Sequence, residues 1–177
     1  MLSSIVLIVW AAFWVYWLIA AQGAKAGSHR RRTARPSVLL AVAFVLLRVL
    51  DPGGLAVQSP VVQAVGVIAL LTGLGLAVWA RIHLGRNWGM PMTEKDEPEL
   101  VVTGPYRYVR HPIYSGILLA ILGTALATNL YWLIAAALLG IYFVYSASVE
   151  ERLLTASLAS QYKCYQAKTK MLIPFVL

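Results

Sequence analysis

The chain has 177 residues, 60% of them hydrophobic, and carries 15 Lys and Arg against 7 Asp and Glu, a formal net charge of +8. A mean hydropathy of +0.73 excludes a water-soluble domain, which would have to expose too much apolar surface. One cysteine, Cys164, excludes a disulfide framework within the chain and any Cys-rich metal site.

Leu2 to Ala21 is apolar for about 20 residues, long enough to span a bilayer. No Lys or Arg precedes it, so it reads as a retained first helix and not as a cleaved signal. Trp10, Trp14 and Trp17 recur along it at helical spacing, a stripe for packing or interfacial anchoring. Lys25 to Arg35 follows, with Lys25, His29, Arg30, Arg31, Arg32 and Arg35. After Pro36 a second apolar run, Ser37 to Leu50, covers only ~21 Å of a ~30 Å hydrocarbon core. It is expected to tilt into a hairpin with the first span or to be framed by Arg48 and Asp51. Asp51-Pro-Gly-Gly54 reads as a turn.

The third span runs from Pro60 to about Ala80, where Gly66, Gly73 and Gly75 allow close helix approach. Gly73-Leu-Gly75 lacks the third glycine and the preceding strand of a nucleotide fingerprint. Arg81 to His111 is the longest polar segment, with Glu94, Asp96, Glu97 and Glu99 among its basic residues; such a loop in a small membrane protein is functional by expectation. The fourth span, Pro112 to about Thr128, sets Gly116, Ala120 and Thr124 on one small-residue face. Asn129 marks a short turn into the fifth span, Leu130 to about Ala147, in a tight antiparallel hairpin. Beyond Glu150-Glu151-Arg152, Leu154, Leu158, Tyr162 and Tyr165 predict an amphipathic helix on the membrane or over the loop.

The expected fold is an all-α integral membrane protein of about five transmembrane helices with a C-terminal amphipathic helix over 148–170. Residues 1–58 form an N-terminal two-helix hairpin and 59–177 the remaining core, with its loop at 81–111. Every Lys and Arg except Arg48 falls in the first loop, the third loop or the tail. By the positive-inside rule that side is cytoplasmic and the amino terminus is outside; the expected location is the plasma (inner) membrane. The same distribution accounts for the net charge without nucleic acid.

One stretch concentrates chemistry: Gly104-Pro-Tyr-Arg-Tyr-Val-Arg-His-Pro-Ile-Tyr-Ser-Gly116. Tyr106, Arg107, Tyr108, Arg110, His111 and Tyr114 crowd the mouth of a membrane helix that Pro112 starts. They read as an interfacial anchor or as a ligand site at the membrane surface. The predicted hairpin brings Glu150 and Glu151 beside His111 and Tyr114. Carboxylates at a membrane boundary must be paired, either with a ligand or in a helix-end salt bridge such as Glu151 to Arg110. His29, His83 and His111 are dispersed, so no metal is expected.

Leu100-Val-Val-Thr-Gly-Pro-Tyr-Arg-Tyr-Val-Arg-His-Pro-Ile-Tyr-Ser-Gly116, followed about 34 residues later by Glu150-Glu151 and a Tyr-rich tail, resembles the isoprenylcysteine carboxyl methyltransferase family. The phospholipid N-methyltransferases are similar. The likeness covers about Trp79 to Pro174. It implies S-adenosylmethionine as methyl donor, bound under the long loop and tail, and a lipophilic acceptor entering from the bilayer among membrane lipids. By that resemblance the donor is contacted by Met92, Pro98, Glu99, Leu100, Val101, Tyr106, His111, Pro112, Ile113, Tyr114 and Glu150, with Arg110 and Glu151 as candidate catalytic groups. Two positions depart from the pattern. Met92 stands where the family has an amide, and Ser146 stands where eukaryotic members place a substrate-binding arginine four residues before the first glutamate. Sterol C14-reductases share the carboxy-terminal pattern and bind NADPH, but carry about ten spans. A non-enzymatic lipid-binding protein, its basic loops on anionic headgroups, is the other alternative.

Overall fold

The computed structural model describes residues 1–22, 27–28, 55–88, 94–95 and 99–174. Among the described residues four helices carry the fold: α1 (Leu2–Ala21), α2 (Pro60–Leu84), α3 (Pro112–Ala127) and α4 (Trp132–Lys168). Three of them, α1, α2 and α4, are long and apolar enough to cross a membrane, and α3 is a shorter apolar helix. The run at 37–50, the turn at 51–54 and Lys25, His29 and Arg30 to Arg35 of the first basic loop lie outside the described residues. Large side chains such as Ile8, Leu18, Val61 and Ile141 are exposed around the outside, which suits a chain whose solvent is lipid.

Backbone pairings sort the connections onto two sides. Gly27–Ser28 (β1) pairs antiparallel with Glu94–Lys95 (β2), joining the first loop to the long loop. On the same side Val109 pairs with Lys170. At the opposite end Ala56 pairs with Asn129, so the loop before α2 meets the turn between α3 and α4. Gly27–Ser28, the described parts of the long loop and the tail thus share one end of the bundle.

The tightest packing is between α2 and α3, and glycine causes it. A Cβ on Gly73 would fall 2.5 Å from the backbone of Gly116 and Ala120, and one on Gly116 would fall 2.6 Å from the Gly73 carbonyl. Gly66 and Gly123 repeat the arrangement two turns away. The helices therefore touch backbone to backbone, the geometry that small-residue repeats permit where lipid supplies no hydrophobic drive between helices. Gly75 faces open space. The Trp10 indole of α1 donates to Thr124 Oγ1 at 3.0 Å, and Val6 and Phe13 pack on Leu70, Leu74, Ala77 and Ala120.

α4 differs from the expected outline. The expected span does not end near Ala147 to give way to a separate helix over 148–170; one helix of 37 residues, Trp132–Lys168, runs through Glu150 and Glu151. Residues 148–158 contain no Gly or Pro and are rich in good helix formers, so nothing ends it there. The direction changes at Ala159, whose φ is 43°. A residue with a Cβ holds such backbone only at a cost of about 1–3 kcal/mol, so the surrounding contacts must impose it.

Gly73→Ala should lower stability in detergent by about 1–3 kcal/mol through overpacking. Gly75→Ala, with the same loss of a helix glycine and nothing to strike, should leave it unchanged or raise it by about 0.5–1 kcal/mol. Paired thermal unfolding curves check both; equal behaviour of the two variants would contradict the backbone seam.

Candidate active site

The site is built where α3 begins. Gly104 opens a single 3₁₀ turn, Gly104–Arg107, with φ 57°. A Cβ there would fall 2.6 Å from Cγ of the His83 ring, so both space and backbone require glycine. The turn buries Tyr106. Pro112 then occupies the first helical position of α3, where its missing N–H costs nothing. The tail is laced to this segment: Arg110 N donates to Lys170 O at 2.8 Å and His111 N to Met171 O at 3.0 Å. Ser115 Oγ donates to Leu172 O at 2.5 Å, and the Tyr165 hydroxyl donates to Tyr106 O at 2.5 Å.

The two adjacent glutamates face different tasks. Arg110 Nε meets Glu151 Oε1 at 2.6 Å and Nη2 donates to Oε2 at 3.4 Å. Gln166 Nε2 donates to the same Oε2 at 2.9 Å, and Arg110 Nη1 donates to Thr169 O. His111 Nε2 lies 3.3 Å from Glu151 Oε1. Glu151 is buried and consumed by this network. Glu150, one position earlier, is half-buried and accepts from the Tyr114 hydroxyl and from Ser146 Oγ at 3.4 Å. His111 Nδ1 is 3.7 Å from Glu150 Oε2. The Tyr114 ring is stacked between His111, centroids 5.5 Å apart, and Phe143, 4.4 Å apart.

These groups border a cavity of about 1190 Å³ that runs along α3 against α1. Glu99, Leu100, Val101, Tyr106, Arg110, His111, Ile113, Tyr114 and Glu150 all contribute to its wall. Pro112 is buried as the helix start, and Glu151 sits behind the wall in the ion-pair network. Met92 and Pro98 lie outside the described residues. Asn87 Nδ2 donates to Glu99 Oε2 at 2.8 Å, tying the end of α2 to the long loop. Burial, with Tyr165 and Glu150 nearby, pushes the Tyr106 hydroxyl well above the ordinary phenol range, so it stays a neutral donor.

Sequence reasoning missed part of the wall. Trp17, Leu84, Trp88, Tyr162 and Tyr165 also line the cavity. Arg81 is buried beside it, donating to Gly85 O at 2.6 Å and Ala20 O at 2.5 Å. Its guanidinium lies 4.8 Å from the Trp88 ring centroid, so one cation fixes the ends of α1 and α2 and this indole. The spacing of Tyr162 and Tyr165 predicted a helix on the membrane or over the loop, and the second alternative is the one found, with the Tyr165 hydroxyl on Tyr106 O.

A sequence model of the phospholipid methyltransferase family matches residues 61–161. Methanethiol S-methyltransferases from Mycobacterium tuberculosis and Crocosphaera subtropica are 39% and 37% identical over 70 and 71 residues, in each case 40% of this chain and 28% of the relative. The matched stretch is therefore under a third of those relatives' length. A solved structure of the eukaryotic intramembrane Ras methyltransferase, an isoprenylcysteine carboxyl methyltransferase, superposes with a TM-score of 0.63 at 21% identity, covering 83% of this chain and 55% of that one. That likeness establishes the fold.

Arg110→Ala would leave Glu151 buried without its cation and release the tail carbonyl. It should cost about 3–5 kcal/mol and speed amide hydrogen exchange across 166–172; unchanged protection there would show that the ion pair does not hold the tail.

Proposed function

The chain belongs to the phospholipid methyltransferase family, and from that premise we propose that it transfers a methyl group from S-adenosylmethionine to a lipophilic acceptor drawn from the bilayer. The observation that carries the reading is Glu150. A carboxylate beside a membrane helix, aligned by Tyr114 and Ser146 and standing in the wall of a large cavity, is poised for a ligand as well as for its neighbours.

The residues present fit the donor. Glu150 would accept from its ammonium or ribose hydroxyls, and Leu100, Val101 and Tyr106 would cover its adenine. His111, on the Glu150 side of the wall, would meet its polar end. When bound, that cofactor supplies an electrophilic methyl on a sulfonium centre. The protein's work is then to position and to exclude water, since in-line displacement needs no covalent help from a side chain. His111 and Tyr114 are held parallel by stacking, so both present fixed edges to the cavity. In this reading Arg110 and Glu151 act by anchoring the tail over the site. The Lys and Arg distribution supports a cytoplasmic site in the plasma membrane.

The acceptor is proposed from the cavity wall, where Trp10, Trp14, Leu153 and Phe143 offer an apolar lining. The two methanethiol S-methyltransferase relatives favour a second reading, a small thiol acceptor. Ser146, fully buried against Tyr114 and Glu150, offers no cation to a substrate carboxylate, which weighs against a prenylcysteine carboxylate.

Calorimetric titration of the detergent-purified protein with S-adenosylhomocysteine should give micromolar binding, weakened at least tenfold in Glu150→Ala, about 1.4 kcal/mol. Equal affinity in wild type and variant would sink the site assignment, and binding of NADPH instead would turn the reading to a reductase. With radiolabelled donor, label should appear in an added membrane-lipid extract; label in added ethanethiol alone would support the small-thiol reading.

A further inference from the structure

The cavity does not end at the polar cluster. Its wall runs from Glu150 and Tyr114 along α1, α3 and α4 to Ser3, Thr128 and Tyr131 at the opposite end of the bundle. Among the described residues, no charged side chain lines that lower reach. A drug-sized ligand fills about 300–1,000 Å³, so a donor held at the Glu150 end leaves the lower reach to something else. Halfway down stands Trp10, whose Nε1 donates to Thr124 Oγ1 at 3.0 Å. Thr124 lies ten residues beyond Tyr114 on α3, ~15 Å at ~1.5 Å per residue. That is half of a ~30 Å hydrocarbon core. The Trp10 ring packs on the core shared by α1, α2 and α3. It also packs on Ile121, Ala135 and Ala136, the cluster that joins α3 to α4. Phe13 and Trp14 hold the indole from its own helix, with centroids 5.8 and 6.4 Å away.

A hydrocarbon chain lying along α3 from the Glu150 end therefore meets Trp10 after about the depth of one leaflet. Lipid is as apolar as the groove, so added methylenes gain nothing by entering it, and length is read by room alone. Passing further requires the indole to swing aside and give up its bond to Thr124. An aliphatic chain offers no hydrogen bond in exchange. Resting on the methyltransferase reading, we propose that Trp10 determines specificity for the acceptor's chain length. The acceptor carries its chain along α3, and Trp10 sets how much of it fits between the indole and the Glu150 end. Thr124 is the latch, a positioning residue that acts through the indole. The stretch beyond, down to Tyr131, takes longer chains only when that latch is open.

The test is the chain length of the methylated products. Methyl-deuterated S-adenosylmethionine and a membrane-lipid extract are given to the detergent-purified full chain as wild type, Trp10→Ala and Thr124→Val. Deuterated lipids are then sorted by mass. Retained binding of S-adenosylhomocysteine shows that each variant is folded. Wild type should label chains up to about one leaflet's depth and few beyond. Both variants should raise the share of longer chains about five- to tenfold, the factor that one hydrogen bond is worth, with Trp10→Ala the stronger. Equal length distributions in wild type and the folded variants overturn the role. So does a wild type that binds S-adenosylhomocysteine yet labels no lipid, because no chain then lies along α3. Failure of wild type to bind S-adenosylhomocysteine would instead refute the methyltransferase reading itself.

Discussion

One ion pair holds three separate pieces of chain at the site. Arg110 lies just before α3, Glu151 lies on α4, and the Thr169 carbonyl to which Arg110 also donates lies in the tail. Desolvating those charges at a membrane boundary is costly, and the cost is offset only because nearly every donor and acceptor is used: Gln166 and His111 complete the carboxylate, and a backbone carbonyl completes the guanidinium. Fixed in this way, the network sets where α3 starts, which way its first turn faces, and how low the tail lies. Glu150, Tyr114 and His111 inherit their positions from it.

The division between neighbouring glutamates follows from helical geometry. Consecutive residues on a helix point about 100° apart, so Glu151 turns towards Arg110 while Glu150 turns towards the cavity. A pair of identical side chains can thus supply one buried anchor and one half-buried carboxylate in the cavity wall. Substituting the two separately would distinguish them more clearly than any inspection of their chemistry.

Much of this was legible in the sequence. Apolar runs bounded by Pro and Asn located α1, α2 and the α3–α4 hairpin, because a bilayer demands uninterrupted hydrogen-bonded segments. Charge placement sorted the ends of the bundle. The Arg110-His111-Pro112-Ile113-Tyr114 block and the Glu pair, costly at that depth unless paired, were expected together, and the structure brings them together. A fifth span ending near Ala147 and an amphipathic helix over 148–170 were expected as separate pieces; they are continuous because no Gly or Pro separates them, and the break falls at Ala159. Tyr162 and Tyr165 were left between the membrane and the loop, because a periodic stripe tells which residues share a face but not what the face meets. Of the three glycines in α2 expected to pack, Gly75 proved idle, a distinction that only the partner helix can make.

The shortness of α3 has a consequence of its own. Sixteen residues span ~24 Å, less than a ~30 Å hydrocarbon core, and the polar cluster begins at its first turn. The reacting centre of the proposed enzyme would therefore be sunk beneath the headgroup plane. A bilayer-resident acceptor would then need no lifting into water; the soluble partner makes the descent instead. Geometry of that kind selects nucleophiles by solubility before any side chain reads their shape, and it keeps the most abundant competing nucleophile, water, at a distance.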